Sequence, residues 1–86
     1  CKRSVHTGWN YVKFVEEETS YLDGYYYFSH SYAISWSGRK EEKAFYVVEG
    51  KKFVAVINKN DKTGVQFHPE LSGKIGVKFV SRVLGL

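Results

Sequence analysis

Gly64-Val65-Gln66-Phe67-His68-Pro69-Glu70-Leu71-Ser72-Gly73-Lys74-Ile75-Gly76 is the stretch in which one kind of backbone gives way to another. Val65 and Phe67 alternate with Gln66 and His68, a period of two that predicts a strand end with His68 opposite the apolar pair. Pro69 fixes its own φ and has no N–H to donate, so the strand is expected to stop there. Beyond it Leu71, Ile75, Phe79 and Val83 recur every four residues, with Val80 and Leu84 beside them. That is one apolar face of a helix, with Lys74, Lys78, Ser81 and Arg82 outside it. Ser72 is the expected N-cap. Gly73 and Gly76 weaken the first turn by up to about 1 kcal/mol each relative to alanine, and leave room for close backbone packing. At the junction stand a base and a carboxylate, His68 and Glu70, with a proline between them. An imidazole held at a strand end by a nearby carboxylate is oriented for proton transfer. The same pair could also serve only to cap and hydrogen-bond the junction.

Working outward, Tyr11-Val12-Lys13-Phe14-Val15 reads as a strand, and Glu16 to Ser20 as a polar loop or turn. Gly24 precedes Tyr25-Tyr26-Tyr27-Phe28, an aromatic run suited to a strand. Tyr32-Ala33-Ile34 can continue extended, followed by a polar connection from Ser35 to Lys43. Ala44-Phe45-Tyr46-Val47-Val48 and Phe53-Val54-Ala55-Val56-Ile57 form a hairpin about a turn at Glu49-Gly50-Lys51. Asn58 to Thr63 is a turn-rich connection ending at Gly64. The fold class is therefore α+β: about five mostly antiparallel strands and a C-terminal helix. No internal repeat, low-complexity segment or linker divides the chain.

Eighty-six residues allow one small domain or a piece of a larger one. A core of that size is thin. The first residue is Cys1 rather than Met, which suggests truncation, processing or an incomplete gene. One cysteine cannot form an internal disulfide and suits a reducing, intracellular setting. No apolar run approaches the length of a membrane span, and no signal peptide is visible. The formal net charge of +4 comes from basic residues scattered along the chain and interrupted by Glu16-Glu17-Glu18 and Glu41-Glu42. A solvated surface explains this better than a nucleic-acid patch, although Tyr25, Tyr26, Tyr27 and Phe28 could in principle stack on bases. His6 stands near Cys1, but one cysteine and three dispersed histidines lack metal-ligand spacing, so no metal and no cofactor is expected.

Phe67-His68-Pro69-Glu70, within Gly-x-Gln-Phe-His-Pro-Glu-x-Ser, resembles the His/Glu end of class I (triad) glutamine amidotransferases. His6-Thr7-Gly8-Trp9-Asn10 and Tyr27-Phe28-Ser29-His30-Ser31-Tyr32 resemble a His-x-Gly-Trp-Asn and a Tyr-Phe-x-His-Ser-Tyr segment. In this order they are similar to the glutaminase subunits of imidazole glycerol phosphate synthases, or to a close paralogue. The resemblance covers nearly the whole of residues 1–86 and only the C-terminal portion of that family's α/β domain. It implies that His68 and Glu70 are catalytic and that His30, Ser31 and Tyr32 line a glutamine pocket. It places Trp9, Asn10 and Tyr27 at the face that docks onto a barrel-shaped cyclase subunit. The implied activity is glutaminase, supplying ammonia to a partner synthase in histidine biosynthesis, in the cytoplasm, as a heterodimer without nucleic acid or membrane. Two alternatives stay open: a paralogue serving surface-polysaccharide sugars, and a partner-binding remnant without catalysis.

Two departures from the pattern matter. The family's nucleophile sits in a Gly-x-Cys-x-Gly-x-Gln segment, and none occurs in these residues. Cys1, followed by Lys2-Arg3-Ser4, has neither the glycines nor the helix N-terminus that lower a thiol pKa. The oxyanion hole is likewise expected in the absent half, so the 86 residues alone are expected to be inactive. Leu71 stands where many relatives carry lysine directly after His-Pro-Glu, which alters any partner contact made there.

Overall fold

The computed structural model of the chain describes residues 2–4, 8–29 and 31–85. Five antiparallel strands form one sheet in the order β3-β2-β5-β6-β7. They are β2 (Gly8–Phe14), β3 (Gly24–Phe28), β5 (Glu42–Val48), β6 (Lys51–Lys59) and β7 (Lys62–Val65). A second pair joins β1 (Lys2–Ser4) to β4 (Ser31–Ala33). One helix, α1 (Gly73–Leu84), ends the described chain. The α+β class read from the sequence is the class observed.

Two tight hairpins set the register of the sheet. β5 and β6 are joined by Glu49 and Gly50 alone, both at positive φ. β6 and β7 are joined by Asn60 and Asp61, again both at positive φ. Positive φ at both central residues is what a two-residue type I′ turn requires, because its twist matches that of the flanking strands. The second hairpin corrects the sequence reading. Asn58 to Thr63 is not a long connection, because β6 runs through Lys59 and β7 starts at Lys62. Asn and Asp tolerate the left-handed region well enough to make the turn without glycine.

Between β2 and β3 the expected polar loop is a 3-10 helix, Glu17–Leu22. Its exit is pinned by Asp23, whose carboxylate accepts from the Phe14 N–H at 2.7 Å and from Lys13 Nζ at 2.8 Å. After β4 the backbone continues against β6: the Val54 N–H donates to the Ile34 carbonyl at 2.7 Å, and the Trp36 N–H to that of Lys52 at 3.1 Å. The polar connection that follows is anchored by the buried Glu42, which accepts from the Ser37 N–H, the Ser37 hydroxyl and the Gly38 N–H at 2.6–2.9 Å.

The sheet is curled, and the stretch quoted at the outset closes it. β7 pairs with β6 at one edge. Three residues beyond β7, the His68 N–H donates to the Tyr27 carbonyl at 2.8 Å, a single antiparallel bridge onto β3 at the opposite edge. The strand predicted to run to His68 therefore stops at Val65 and bends at Gln66 and Phe67. The bend carries Phe67 into the interior, where it is 4% exposed. Its ring lies 4.3 Å from Tyr26, 5.1 Å from Phe79 and 5.9 Å from Phe28, centroid to centroid. Val12, Phe14, Ala44, Tyr46, Ala55 and Val56 line the rest of the core, with Leu22 from the 3-10 helix. Alternation explains the aromatic run of β3: Tyr26 and Phe28 face in, Tyr25 and Tyr27 face out.

α1 packs on the core through Ile75, Gly76 and Phe79. The predicted apolar face is correct only in this middle part. Leu71 belongs to a short 3-10 turn, Pro69–Leu71, and is exposed, as are Val80, Val83 and Leu84. Among the described residues no helix is long and apolar enough to cross a membrane. Because Phe67 joins sheet closure to helix packing, Phe67→Ala is expected to cost about 3–5 kcal/mol in denaturant unfolding of the protein. Val47→Ala, at an exposed site, is expected to stay within about 0.5 kcal/mol. A loss below about 1 kcal/mol for Phe67→Ala contradicts this account of the closure.

Candidate functional site

The junction between β7 and α1 carries His68 and Glu70. His68 stands in extended backbone just before the 3-10 turn, and Pro69 occupies the first position of that turn, where no N–H is needed. The tight turn brings the two side chains together: His68 Nδ1 and Glu70 Oε2 are 2.9 Å apart. Both face solvent, His68 with 44% and Glu70 with 66% of its side chain exposed. A carboxylate accepts at that distance only from a protonated nitrogen, so the neutral ring carries its proton on Nδ1 and keeps Nε2 basic. Glu70's own backbone N–H, and then its hydrogen bond with His68, hold its carboxyl below the ordinary carboxylate value against a smaller opposing effect of desolvation. The site therefore keeps an anion beside the imidazole over the neutral pH range.

The backbone under the ring is fixed from both sides. The His68 N–H bonds to the Tyr27 carbonyl. The His68 carbonyl accepts from the Leu71 N–H at 3.1 Å and from the Ser72 hydroxyl at 2.6 Å. The same Ser72 oxygen accepts from the Tyr27 N–H at 2.9 Å. Ser72 is 2% exposed and makes no side-chain bond to cap α1. Ser72 stands at the N-cap position expected from the sequence, but its hydroxyl makes no capping bond: a turn that folds back over β3 offers it a carbonyl and an amide instead. Gly76 permits this packing. A Cβ there would land on the Pro69 carbonyl and reach within 3.1 Å of Ser72 Cβ.

The remaining candidates separate into groups. Trp9 and Tyr27 are cross-strand partners, with rings edge to face at 5.7 Å on the outer side of the sheet. Tyr11 and Tyr25 form a second such pair at 5.3 Å. Trp9, Tyr11 and Tyr25 are each about half exposed or more. Asn10 stands opposite Tyr26 and alternates to the other face from Trp9, so the two neighbours in sequence do not share a surface. Ser31 and Tyr32 lie on β4, paired with Ser4 and Arg3 of β1, outside the five-stranded sheet. His30, with Cys1 and His6, lies outside the described residues. Among the described residues no cluster of His, Cys, Asp and Glu could hold a metal ion.

Sequence reasoning did not find the buried role of Ser72 or the outer Tyr11–Tyr25 pair. Alternation along Trp9, Tyr11 and Tyr25, Tyr27 could have found the second. A serine four residues after His68, where a hydroxyl can return to a carbonyl, was the signal for the first.

The model of the glutamine amidotransferase class-I family matches residues 2–82. Imidazole glycerol phosphate synthase subunit HisH of Pyrobaculum aerophilum is 38% identical over 86 residues, covering 100% of this chain and 45% of its own length. The HisH subunit of Methanocaldococcus jannaschii is 40% identical over 90 residues, covering 94% of this chain and 42% of its own. That of Thermotoga maritima is 38% identical over 85 residues, covering 96% and 39%. The chain spans less than half the length of these relatives. The match runs through the sheet, the His68–Glu70 junction and nearly all of α1, and on that ground the chain belongs to the class I glutamine amidotransferase family.

Proposed function

We propose that these residues are the C-terminal portion of a glutaminase domain, with His68 as general base and acid and Glu70 as its orienting carboxylate. The observation that carries this reading is the 2.9 Å contact between His68 Nδ1 and Glu70 Oε2 on a junction tied by hydrogen bonds to β3. In such an enzyme His68 Nε2 takes the proton of a cysteine thiol, the thiolate attacks the carboxamide carbon of glutamine, and the tetrahedral intermediate expels ammonia. The leaving nitrogen takes its proton from His68, whose other nitrogen stays bonded to Glu70. His68 then removes a proton from water as the water attacks the thioester, releasing glutamate and restoring the thiol. The thiol and the oxyanion donors come from outside these 86 residues, so the chain alone is expected to release no ammonia.

The relatives are named as subunits of imidazole glycerol phosphate synthase, and this supports a synthase as recipient of the ammonia, acting in histidine biosynthesis. Trp9 and Tyr27 form the proposed docking patch for a cyclase subunit, because paired exposed aromatics are effective interface anchors. Ser31 and Tyr32, with His30, line the glutamine pocket in this reading. Leu71, 53% exposed beside the site, keeps a paralogue with a different acceptor as the second reading.

Three outcomes are expected. His68→Ala in the full protein lowers glutamine hydrolysis, read as glutamate released, by more than about 100-fold. Undiminished turnover contradicts the assignment. Glu70 titrates below an ordinary glutamate in a carbon NMR titration, and His68→Ala raises its midpoint only part of the way, because its own backbone N–H remains. Since the folded value is depressed, the contact is intact above the ordinary carboxylate pKa and is lost as pH falls through the lowered one. Trp9→Ala weakens binding to the synthase subunit by about 2 kcal/mol, or about 30-fold in Kd by calorimetry.

A further inference from the structure

We propose that Ser72 is a positioning residue for His68, its hydroxyl fixing the direction in which the imidazole leaves the backbone. The proposal rests on the reading of His68 as the catalytic base. The His68 ring is nearly half exposed, and its described side-chain bond is to Glu70, itself more exposed still. Packing does not lock such a ring. Its direction follows from the backbone at His68 and from that one carboxylate.

That backbone is held by a short closed circuit. Tyr27 gives its carbonyl to the His68 N–H and its own N–H to Ser72 Oγ. Ser72 gives its proton to the His68 carbonyl at 2.6 Å. One hydroxyl thus acts as acceptor and donor at once, and both peptide groups flanking the His68 Cα are tied to the same residue of β3. The circuit is buried at Ser72, where water cannot replace the hydroxyl. Ser72 Oγ does no capping of α1, so the residue's polar contacts serve the His68 turn rather than the helix. Without the hydroxyl, the Tyr27 N–H loses its partner and the His68 carbonyl keeps only the 3.1 Å bond from Leu71. The peptide plane after His68 is then held by one bond fewer, and the position of Glu70 against the ring loosens with it.

The test reads the His68 ring nitrogens by NMR and glutamine turnover in the full-length protein. It compares wild type with Ser72→Ala, with Ser72→Cys and with Val54→Ala, a buried substitution in β6. Ser72→Ala is expected to move the ring nitrogen resonances toward the average of the two tautomers. It is also expected to lower kcat about tenfold with KM for glutamine within about twofold, as a small misplacement of a reacting group does. Ser72→Cys, a weak donor of similar volume, falls between wild type and alanine, and decides on the same readouts if Ser72→Ala does not fold. Val54→Ala lowers stability and leaves the ring resonances and the turnover per folded molecule unchanged. Unchanged ring resonances in the Ser72 variants, or an equal change in Val54→Ala, overturn the proposal. Full turnover in His68→Ala overturns instead the reading on which it rests.

Discussion

The burial of Phe67 is the constraint on which the molecule turns. Its ring sits among Tyr26, Phe28 and Phe79, which come from one edge strand of the sheet and from the helix. To reach them, the chain must leave β7 and cross to β3. That crossing curls the sheet, provides the seat for α1 and places the next residue, His68, at the rim. A side chain that stabilises the core thus delivers its neighbour to the surface. The two requirements of a catalytic base, a rigid mount and an accessible ring, are met by adjacent residues of opposite character.

The mount is made of backbone rather than of side-chain packing. Tyr27 spends both its peptide groups on the His68 turn, while its ring lies outside against Trp9. The strand that holds the candidate base is therefore the strand that presents the aromatic patch. Pro69 and Gly76 make the geometry possible from the other side. Proline gives up an N–H that the first turn does not need, and glycine lets α1 approach the Pro69 carbonyl. The local sequence rules that look permissive one at a time act here as one fitted joint.

Much of this was legible in the sequence, and for identifiable reasons. Five strands, a terminal helix and the hairpin at Glu49-Gly50 follow from periodicity and turn chemistry, which are local properties. The pairing of His68 with Glu70 follows from a proline-bearing junction between them. Most of the misses are cases in which distant chain decides. Phe67 and Gln66 alternate like strand residues, yet the Tyr26–Phe79 site draws Phe67 inward and bends the backbone. Ser72 occupies the N-cap position, yet its hydroxyl turns away from the helix to the Tyr27 amide and the His68 carbonyl. Val80, Val83 and Leu84 continue the apolar face of the helix past the point where the sheet ends, and stand exposed. The turn-rich connection expected over Asn58 to Thr63 narrows to Asn60-Asp61, because both adopt the left-handed region and let the strands run up to them.

The central claim is that His68 and Glu70 serve a cysteine nucleophile acting on glutamine. The most direct measurement is covalent labelling of the natural protein with a glutamine-shaped electrophile such as its chloromethyl ketone, followed by mass spectrometry of the labelled peptide. The account predicts one modified cysteine, in a Gly-x-Cys-x-Gly context, within the polypeptide that contains His68. A natural protein that carries His68 and takes up no label on any cysteine would contradict it, and would turn attention to the Trp9–Tyr27 face as a binding surface alone.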